Sequence, residues 1–317
     1  MKREMRHTIR QNDEGTRLTT FLAARFTYHT EQDWTRLVEN GQVTLNSETA
    51  SPAAQLMSGD ILEYTANDIR EPPVDEDLRI VFEDNHLAVV GKPGNLPSHP
   101  GGRYFNHTLW SLLQSRHAIP SPVLINRLDR ETSGLVVVAK TRAAAQQLAG
   151  QFAARHVVKR YAVLVEGSFP AHVEAAGRLE PDTSSVIRKK RRFVPEQADS
   201  ANVRTADWAE TAFDLVQTCG NGISVIRAHP RTGRLHQLRA TLLALGYPVV
   251  GDKLYGVDET LFLRFCADTL TPGDTARLRI RRQALHADYL RFTHPASGAP
   301  LEFTLPLPED MQALLRG

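Results

Sequence analysis

A valine-rich run that starts straight out of a charged turn constrains this chain more than any other feature of it. The segment reads Ile125-Asn126-Arg127-Leu128-Asp129-Arg130-Glu131-Thr132-Ser133-Gly134-Leu135-Val136-Val137-Val138-Ala139-Lys140. Leu135 to Ala139, bounded by Gly134 and by Lys140-Thr141, predicts a short buried strand. Asp129 then lies on the loop that feeds the strand. Thr132 and Ser133 are expected to hydrogen-bond to nearby backbone amides, and Gly134 supplies backbone freedom, so the loop should be stiff enough to aim a carboxylate. Arginines at 127 and 130 favour the ionised form of that carboxylate, leaving it available as a nucleophile or a base. Arg127 precedes it by two residues, which in an extended segment puts both side chains on one face. The ordinary alternative is that Asp129 forms a turn or carries a surface charge, and local chemistry alone does not separate these.

The rest of the chain divides legibly. Residues 8–65 predict a first unit. An amphipathic helix opens at Gly15-Thr16-Arg17-Leu18 with apolar residues at 18, 21, 22 and 26, and a second helix around Asp33 to Asn40 carries Trp34, Leu37 and Val38 on one side. Short strands follow at Gly41 to Asn46 and after Ser58-Gly59-Asp60. Residues 66–78, acidic and with Pro72-Pro73, predict an extended linker. From 79 to 317 short strands alternate with two or three helices, the clearest from Thr141 to His156, where Thr141 can cap and Ala144, Ala145, Leu148 and Phe152 share a face. Leu235 to Leu245 is the next. This pattern predicts an α+β domain built on an extended, mainly antiparallel sheet.

Composition excludes more than it selects. With 317 residues, 41% of them hydrophobic and 23% charged, the chain has the balance of a soluble globular protein with room for one large core and a small accessory domain. No apolar stretch approaches the twenty or so residues of a membrane span, and Met1 to His7 lacks the apolar centre of a signal peptide, so a cytoplasmic protein is expected. Cys219 and Cys266 cannot make a disulfide framework or a zinc site unaided. There is no HExxH helix, paired CxxC, Walker loop or dinucleotide fingerprint, so neither metal nor cofactor is expected. His229, His236, His286 and His294 are read as hydrogen-bonding residues. A net charge of +2 makes any grip on nucleic acid local. The clearest basic patch is Arg188-Lys189-Lys190-Arg191-Arg192, which on spacing alone fits a solvated loop as well as a phosphate contact.

The string Arg127-Leu128-Asp129-Arg130-Glu131-Thr132-Ser133-Gly134-Leu135, followed by its hydrophobic run and Ala139-Lys140, resembles the active-site signature of the RluA-type pseudouridine synthases. Four further segments resemble that family in the same order. They are Asp84 to Pro100 with its Lys92-Pro93 turn, Lys159 to Gly167, Pro230 to Arg239, and the pair Gly251 to Gly256 with Leu285 to Pro295. The likeness covers nearly all of residues 79–305. It implies the pseudouridine synthase fold, RNA as partner, and an isomerase acting on uridine without cofactor or metal; nothing in the sequence demands a second subunit, so a monomer is expected.

The resemblance also implies roles. Asp129 is the family's catalytic nucleophile, and Arg239 pairs with it; a guanidinium can hold a carboxylate bidentately and keep it charged when buried. Tyr161 is expected to stack on the uracil and reach a proton on it. Arg127 is expected to occupy the space an everted uridine leaves in the RNA. Arg130, Arg234, His236, Gln237 and the basic run Arg188, Lys189, Lys190, Arg191 and Arg192 are expected to face substrate. The first unit is similar to the small alpha-L RNA-binding domain. Up to residue 65, however, seven basic residues stand against nine acidic ones, a balance that repels phosphate. Asn126 stands where the family usually has His, and Leu235 where Thr is commoner; activity is expected to survive both.

Two function classes fit this reading. One is an RNA-modifying isomerase acting on ribosomal or transfer RNA. The other is a non-catalytic RNA-binding or ribosome-assembly protein on the same scaffold, which has no need of Asp129, Tyr161 and Arg239 together.

Overall fold

The computed structural model describes residues 3–26, 29–66, 71–196 and 206–316. It divides into two compact units, Met1–Pro73 with His99–Ser111, and Val74–Ser98 with Leu112–Gly317.

In the first unit β1 (Arg3–Thr8), α1 (Leu18–Arg25), α2 (Glu31–Glu39), β2 (Val43–Leu45), β3 (Glu48–Thr49) and β4 (Ile61–Ala66) follow one another. The strands form an antiparallel sheet in the order β1-β4-β2-β3. A capping box between Thr30 and Asp33 starts α2. Its buried Trp34 and Val38 meet Leu18, Phe21 and Leu22 of α1 in the core. The unit begins earlier than residue 8, because β1 pairs with β4 along its whole length. Arg3-Glu4-Met5-Arg6-His7-Thr8 offers no apolar alternation, so periodicity gave no signal for this strand.

The expected linker is anchored at several points: Asp75 N–H donates to the Asn95 carbonyl (3.2 Å), the Glu76 carboxylate pairs with Arg116, and Glu71 makes the densest set of bonds. The Glu71 carboxylate accepts the backbone N–H groups of Phe105 (2.8 Å), Asn106 (2.8 Å) and His107 (2.9 Å). Those hydrogen bonds hold its carboxyl low against the opposing effect of burial. The part of the linker reading that falls on 67–70 lies outside the described residues.

In chain order the second unit and its approaches contain β5 (Arg79–Glu83), β6 (Leu87–Lys92), α3 (Leu109–Arg116), β7 (Val123–Leu124), β8 (Ser133–Ala139), α4 (Arg142–Ala153), β9 (Val158–Glu166), β10 (His172–Pro181), β11 (Arg191–Pro195) and β12 (Trp208–Thr218). There follow β13 (Ile223–Pro230), α5 (Gln237–Ala244), α6 (Thr260–Cys266), α7 (Pro272–Leu278), β14 (Leu285–Thr293), β15 (Pro300–Thr304) and α8 (Glu309–Ala313). Eleven strands make one sheet, ordered β11-β10-β12-β13-β9-β14-β8-β6-β5, with β15 on β14 and β7 on β8. The fold is α+β, as the strand and helix pattern implies. Every pairing is antiparallel except that of β8 with β14, where His286 lies opposite Ser133 and Ala287 opposite Gly134.

Local sequence explains the elements that matter most. All seven residues of β8 are buried, as its unbroken apolar run requires. The Thr141 hydroxyl caps α4 by accepting Ala144 N–H (3.2 Å), and Ala144 and Leu148 are buried. The helix stops at Ala153, short of His156. Arg155 turns left-handed (φ 59°) and His156 N–H reaches back to the Gln151 carbonyl (2.9 Å), a closure that no glycine advertises.

The parallel junction rests on Gly134. Its φ is +125°, and a Cβ there would fall inside contact distance of the Ala287 carbonyl oxygen and amide nitrogen. Gly134→Ala is therefore expected to destabilise this unit by about 3 kcal/mol, from backbone strain and overpacking together. A urea unfolding midpoint equal to that of the unsubstituted protein would show that the close approach costs nothing.

Candidate active site

The loop from Arg127 to Ser133 is fastened from several directions. Lys92, 2% exposed, donates to the carbonyls of Pro93 (2.7 Å), Leu96 (2.8 Å) and Arg130 (3.1 Å). Burial, with Arg282 adding to it, brings the Lys92 ammonium down to about 7. Ser98 Oγ donates to the Leu128 carbonyl (2.7 Å), and the Glu131 carboxylate receives Lys253 Nζ (2.9 Å). Arg282 Nη1 reaches the Glu131 carbonyl (3.3 Å) while the rest of its guanidinium holds Asp310 of α8. Thr132 Oγ1 accepts from Gln283 Nε2, and Ser133 Oγ bonds His286 Nδ1 (2.8 Å). The two hydroxyls expected to serve the local backbone are thus committed to side chains more than 150 positions away, just before and within β14. The stiffness of the loop is tertiary.

Asp129 ends this framework with its side chain 28% exposed, beside Arg239 on the first turn of α5. Arg239 Nη1 donates to Asp129 Oδ2 (2.7 Å). The bidentate grip expected for Asp129 goes elsewhere: Arg239 Nε and Nη2 fork onto the two oxygens of Asp252 (2.6 and 2.8 Å). Asp252 is wholly buried and also accepts the N–H groups of Leu254 and Tyr255 (both 2.9 Å). The guanidinium lies 4.9 Å from the Tyr255 ring centre, within cation–π range. Burial works to push the Asp129 carboxyl up, but Arg239, His236 and a hydrogen bond from Gln283 outweigh it and hold it below its ordinary value. Burial opposes the charge of Arg239 as well, yet two carboxylates raise it further into its charged range. One cation therefore serves two acids, an inner one that fixes its orientation and an outer one that it keeps ionised.

Tyr161, on β9, packs on the main core and is partly buried. Burial, and then the charge of Asp129, push its hydroxyl up to about 12, so it is a proton donor at neutral pH. The structure thus brings both Tyr161 and Arg239 within electrostatic reach of Asp129.

The other expected contacts separate into two groups. Arg127, Arg188, Lys189, Arg192 and Arg234 are exposed. Arg234 Nε also donates to the Trp208 carbonyl (3.0 Å). Arg130 pairs with Glu131 (3.2 Å) and lies 4.6 Å from the Phe265 ring centre. Lys190 is taken up by Asp182 and Glu259, which makes it a strut of its loop. Arg191 sends its backbone N–H to the Tyr255 hydroxyl (2.8 Å).

Gln237 is a correction. It is 4% exposed, and its amide accepts from Thr232 Oγ1 (2.8 Å) and Arg234 N (2.9 Å) while donating to Thr211 Oγ1 (2.9 Å) and the Glu210 carbonyl (3.2 Å). Nothing is left to offer a substrate. Asn126 also points inward, accepting Val137 N–H (2.8 Å) and donating to the Leu135 carbonyl (3.2 Å), so it extends the ladder on β8 where β7 has ended. Of the remaining histidines, His286 is buried and brought down to about 4 by that burial, His294 Nε2 meets Asp84 (2.6 Å), and His229 lies near Asp214 (3.4 Å). Asp252, Tyr255, Gln283 and Arg282 were not singled out as site residues. Asp252 and Tyr255 stood in a quoted motif, but only the fold reveals that both converge on Arg239.

Among the described residues no group of three or more His, Cys, Asp or Glu side chains is placed to hold a metal ion, and no helix is long and apolar enough to cross a membrane. Residues 86–244 match the family model described as RNA pseudouridylate synthase. The chain is 33% identical to ribosomal large subunit pseudouridine synthase D of Zymomonas mobilis, over 98% of this chain and 96% of that one. It is 32% identical to the mitochondrial tRNA pseudouridine(32) synthase of Saccharomyces cerevisiae, over 77% of this chain and 51% of that one. Among solved structures, human RNA pseudouridylate synthase domain containing 1 superposes with a TM-score of 0.56 at 26% identity, covering 78% of this chain and 96% of that one.

Proposed function

The chain belongs to the RNA pseudouridylate synthase family, and on that premise we propose that it isomerises uridines of ribosomal RNA to pseudouridine with Asp129 as the reacting carboxylate. The observation that carries this is the 2.7 Å contact between Asp129 and an Arg239 already clamped by Asp252. That arrangement keeps the Asp129 carboxylate charged and fixed in direction, which is what the reaction requires. The bond between uracil N1 and ribose C1′ breaks, the base turns, and C5 bonds to C1′. The C5 proton is lost and N1 is protonated, so composition is unchanged and no electrons enter or leave. Asp129 acts at the ribose or the base, Arg239 holds it, and the protonated Tyr161 stacks on the ring and serves proton transfer. Arg127 is suited to fill the gap left by the everted nucleotide, and Arg188, Lys189, Arg192 and Arg234 to meet phosphate.

Ribosomal RNA is preferred because relatives that match over most of their own length, among them the Zymomonas mobilis and Xanthomonas campestris proteins, bear ribosomal names. The transfer-RNA relative matches over only half of its own length. The N-terminal unit, which β1 extends ahead of residue 8, is assigned to substrate choice rather than to general affinity, given its acidic balance. Because all three central groups come from one chain, the protein is proposed to work as a monomer, in the cytoplasm where its substrate is made. Pseudouridine mapping of total RNA with and without the gene tests the assignment. Loss of one or more sites in large-subunit ribosomal RNA is expected; losses confined to transfer RNA would transfer the assignment there, and no loss anywhere would end it.

A further inference from the structure

His236 stands at the entrance to α5 in the left-handed region (φ 58°), a conformation that strains a side-chain-bearing residue and so needs a reason. Its Nδ1 lies 2.9 Å from the hydroxyl of Tyr255, a residue with no exposed surface. That hydroxyl also receives the backbone N–H of Arg191 (2.8 Å), which can only donate. The single hydroxyl proton therefore goes to His236 Nδ1, the acceptor it reaches among the described residues. With Nδ1 accepting, the imidazole proton sits on Nε2. Burial, with Arg239 adding to it, brings the ring down to about 4 against the pull of Asp129, so the imidazole is neutral at pH 7. Among the described residues the ring makes no hydrogen bond besides that of Nδ1, and it lies half-buried and close enough to Asp129 and Arg239 to feel both charges.

We propose that His236 donates its Nε2 proton to a carbonyl oxygen of the uracil held against Asp129, and that this bond tightens as the base leaves the ribose. The inference rests on the reading of Asp129 as the reacting carboxylate. When the N1–C1′ bond breaks, its electron pair stays on the base and spreads to the two carbonyl oxygens, so a fixed donor there gains strength in the transition state. A neutral donor suits a base carbonyl better than a phosphate, which the exposed arginines serve. Tyr255 is then a positioning residue, setting the tautomer that leaves Nε2 as the donor.

Two substitutions separate this role from a structural one. Asn tolerates the left-handed region and places its Oδ1 near Nδ1, so His236→Asn keeps the Tyr255 contact and removes the Nε2 donor. His236→Gln places an N–H near Nε2 and gives up the Tyr255 contact. Each is assayed, with Asp129→Asn alongside, on total RNA from a strain lacking the gene, by the rate of pseudouridine formation at the sites the unsubstituted protein modifies. His236→Asn is expected to unfold at the unchanged temperature and to be about 10- to 100-fold slower, with His236→Gln recovering most of the rate. Full activity in His236→Asn, or a loss in His236→Gln that equals or exceeds it, overturns the proposal. If Asp129→Asn is inactive in that same experiment, the reading of the carboxylate stands while that of the histidine falls.

Discussion

Replacing Asp129 with Asn is expected to slow pseudouridine formation by about four orders of magnitude or more, the scale on which losing a reacting side chain acts, while the protein stays folded and still binds RNA. The fold survives because Asn retains an oxygen for the Arg239 Nη1 that now lies 2.7 Å from Asp129. It also survives because Arg239 remains neutralised by Asp252, so no buried charge is orphaned. Binding survives because the exposed Arg127, Arg188, Lys189 and Arg234 are untouched, and one negative charge near phosphate has gone. The check is product formation in parallel with RNA retention on a filter. Activity within tenfold of the unsubstituted enzyme would sink the assignment of the carboxylate.

Arg239→Ala is expected to cost both activity and the fold's stability, by about 3 to 5 kcal/mol for the latter, because it strands a carboxylate deep in the protein. Asp252 has no exposed side-chain surface and would keep only the N–H groups of Leu254 and Tyr255. Asp129, meanwhile, loses the guanidinium that offsets its burial, so its carboxyl moves up and the anion becomes scarcer. The sign of the pH effect follows. In the unsubstituted protein Asp252 is held below its ordinary value, so the pair's stabilisation is present above the usual carboxylate range and is lost as pH falls through and below it. In Arg239→Ala the buried acid is pushed up instead, so the deficit shrinks on acidification. Combining Arg239→Met with Asp252→Leu is expected to return most of the stability and none of the activity, since two well-packed apolar side chains replace a buried ion pair at little cost. Urea unfolding of the three proteins decides. An Arg239→Ala midpoint matching the unsubstituted protein would mean that Asp252 finds another partner and that the clamp is not what holds it.

These expectations depend on different parts of the chain's legibility. The Asp129 loop and the buried strand after it were visible because the pattern is local: an apolar run needs a core, and a polar turn before it needs a surface or a cleft. The cap at Thr141 was readable for the same reason, acting over three residues. β1 was not, since a charged strand shows no alternation, and its pairing depends on β4 more than fifty residues away. Gln237 and Lys190 were expected to face substrate because their segments resemble the family's, and a motif fixes residue type without fixing which partner the fold supplies.

The amino-acid order by itself settled the α+β class, the buried strand from Leu135 to Ala139, and the identity of the one carboxylate set between arginines ahead of it. All of these follow from hydrophobic period and turn chemistry within a window of about a dozen residues. Only the tertiary structure decided that the fork of Arg239 closes on Asp252 and lends Asp129 a single N–H, that Gln283 and His286 stiffen the loop, and that Tyr255 sets the proton on His236. Those choices join residues from 13 to 153 positions apart. They depend on which strands are neighbours, above all on the parallel meeting of β8 and β14 at Gly134, and no local pattern carries that register.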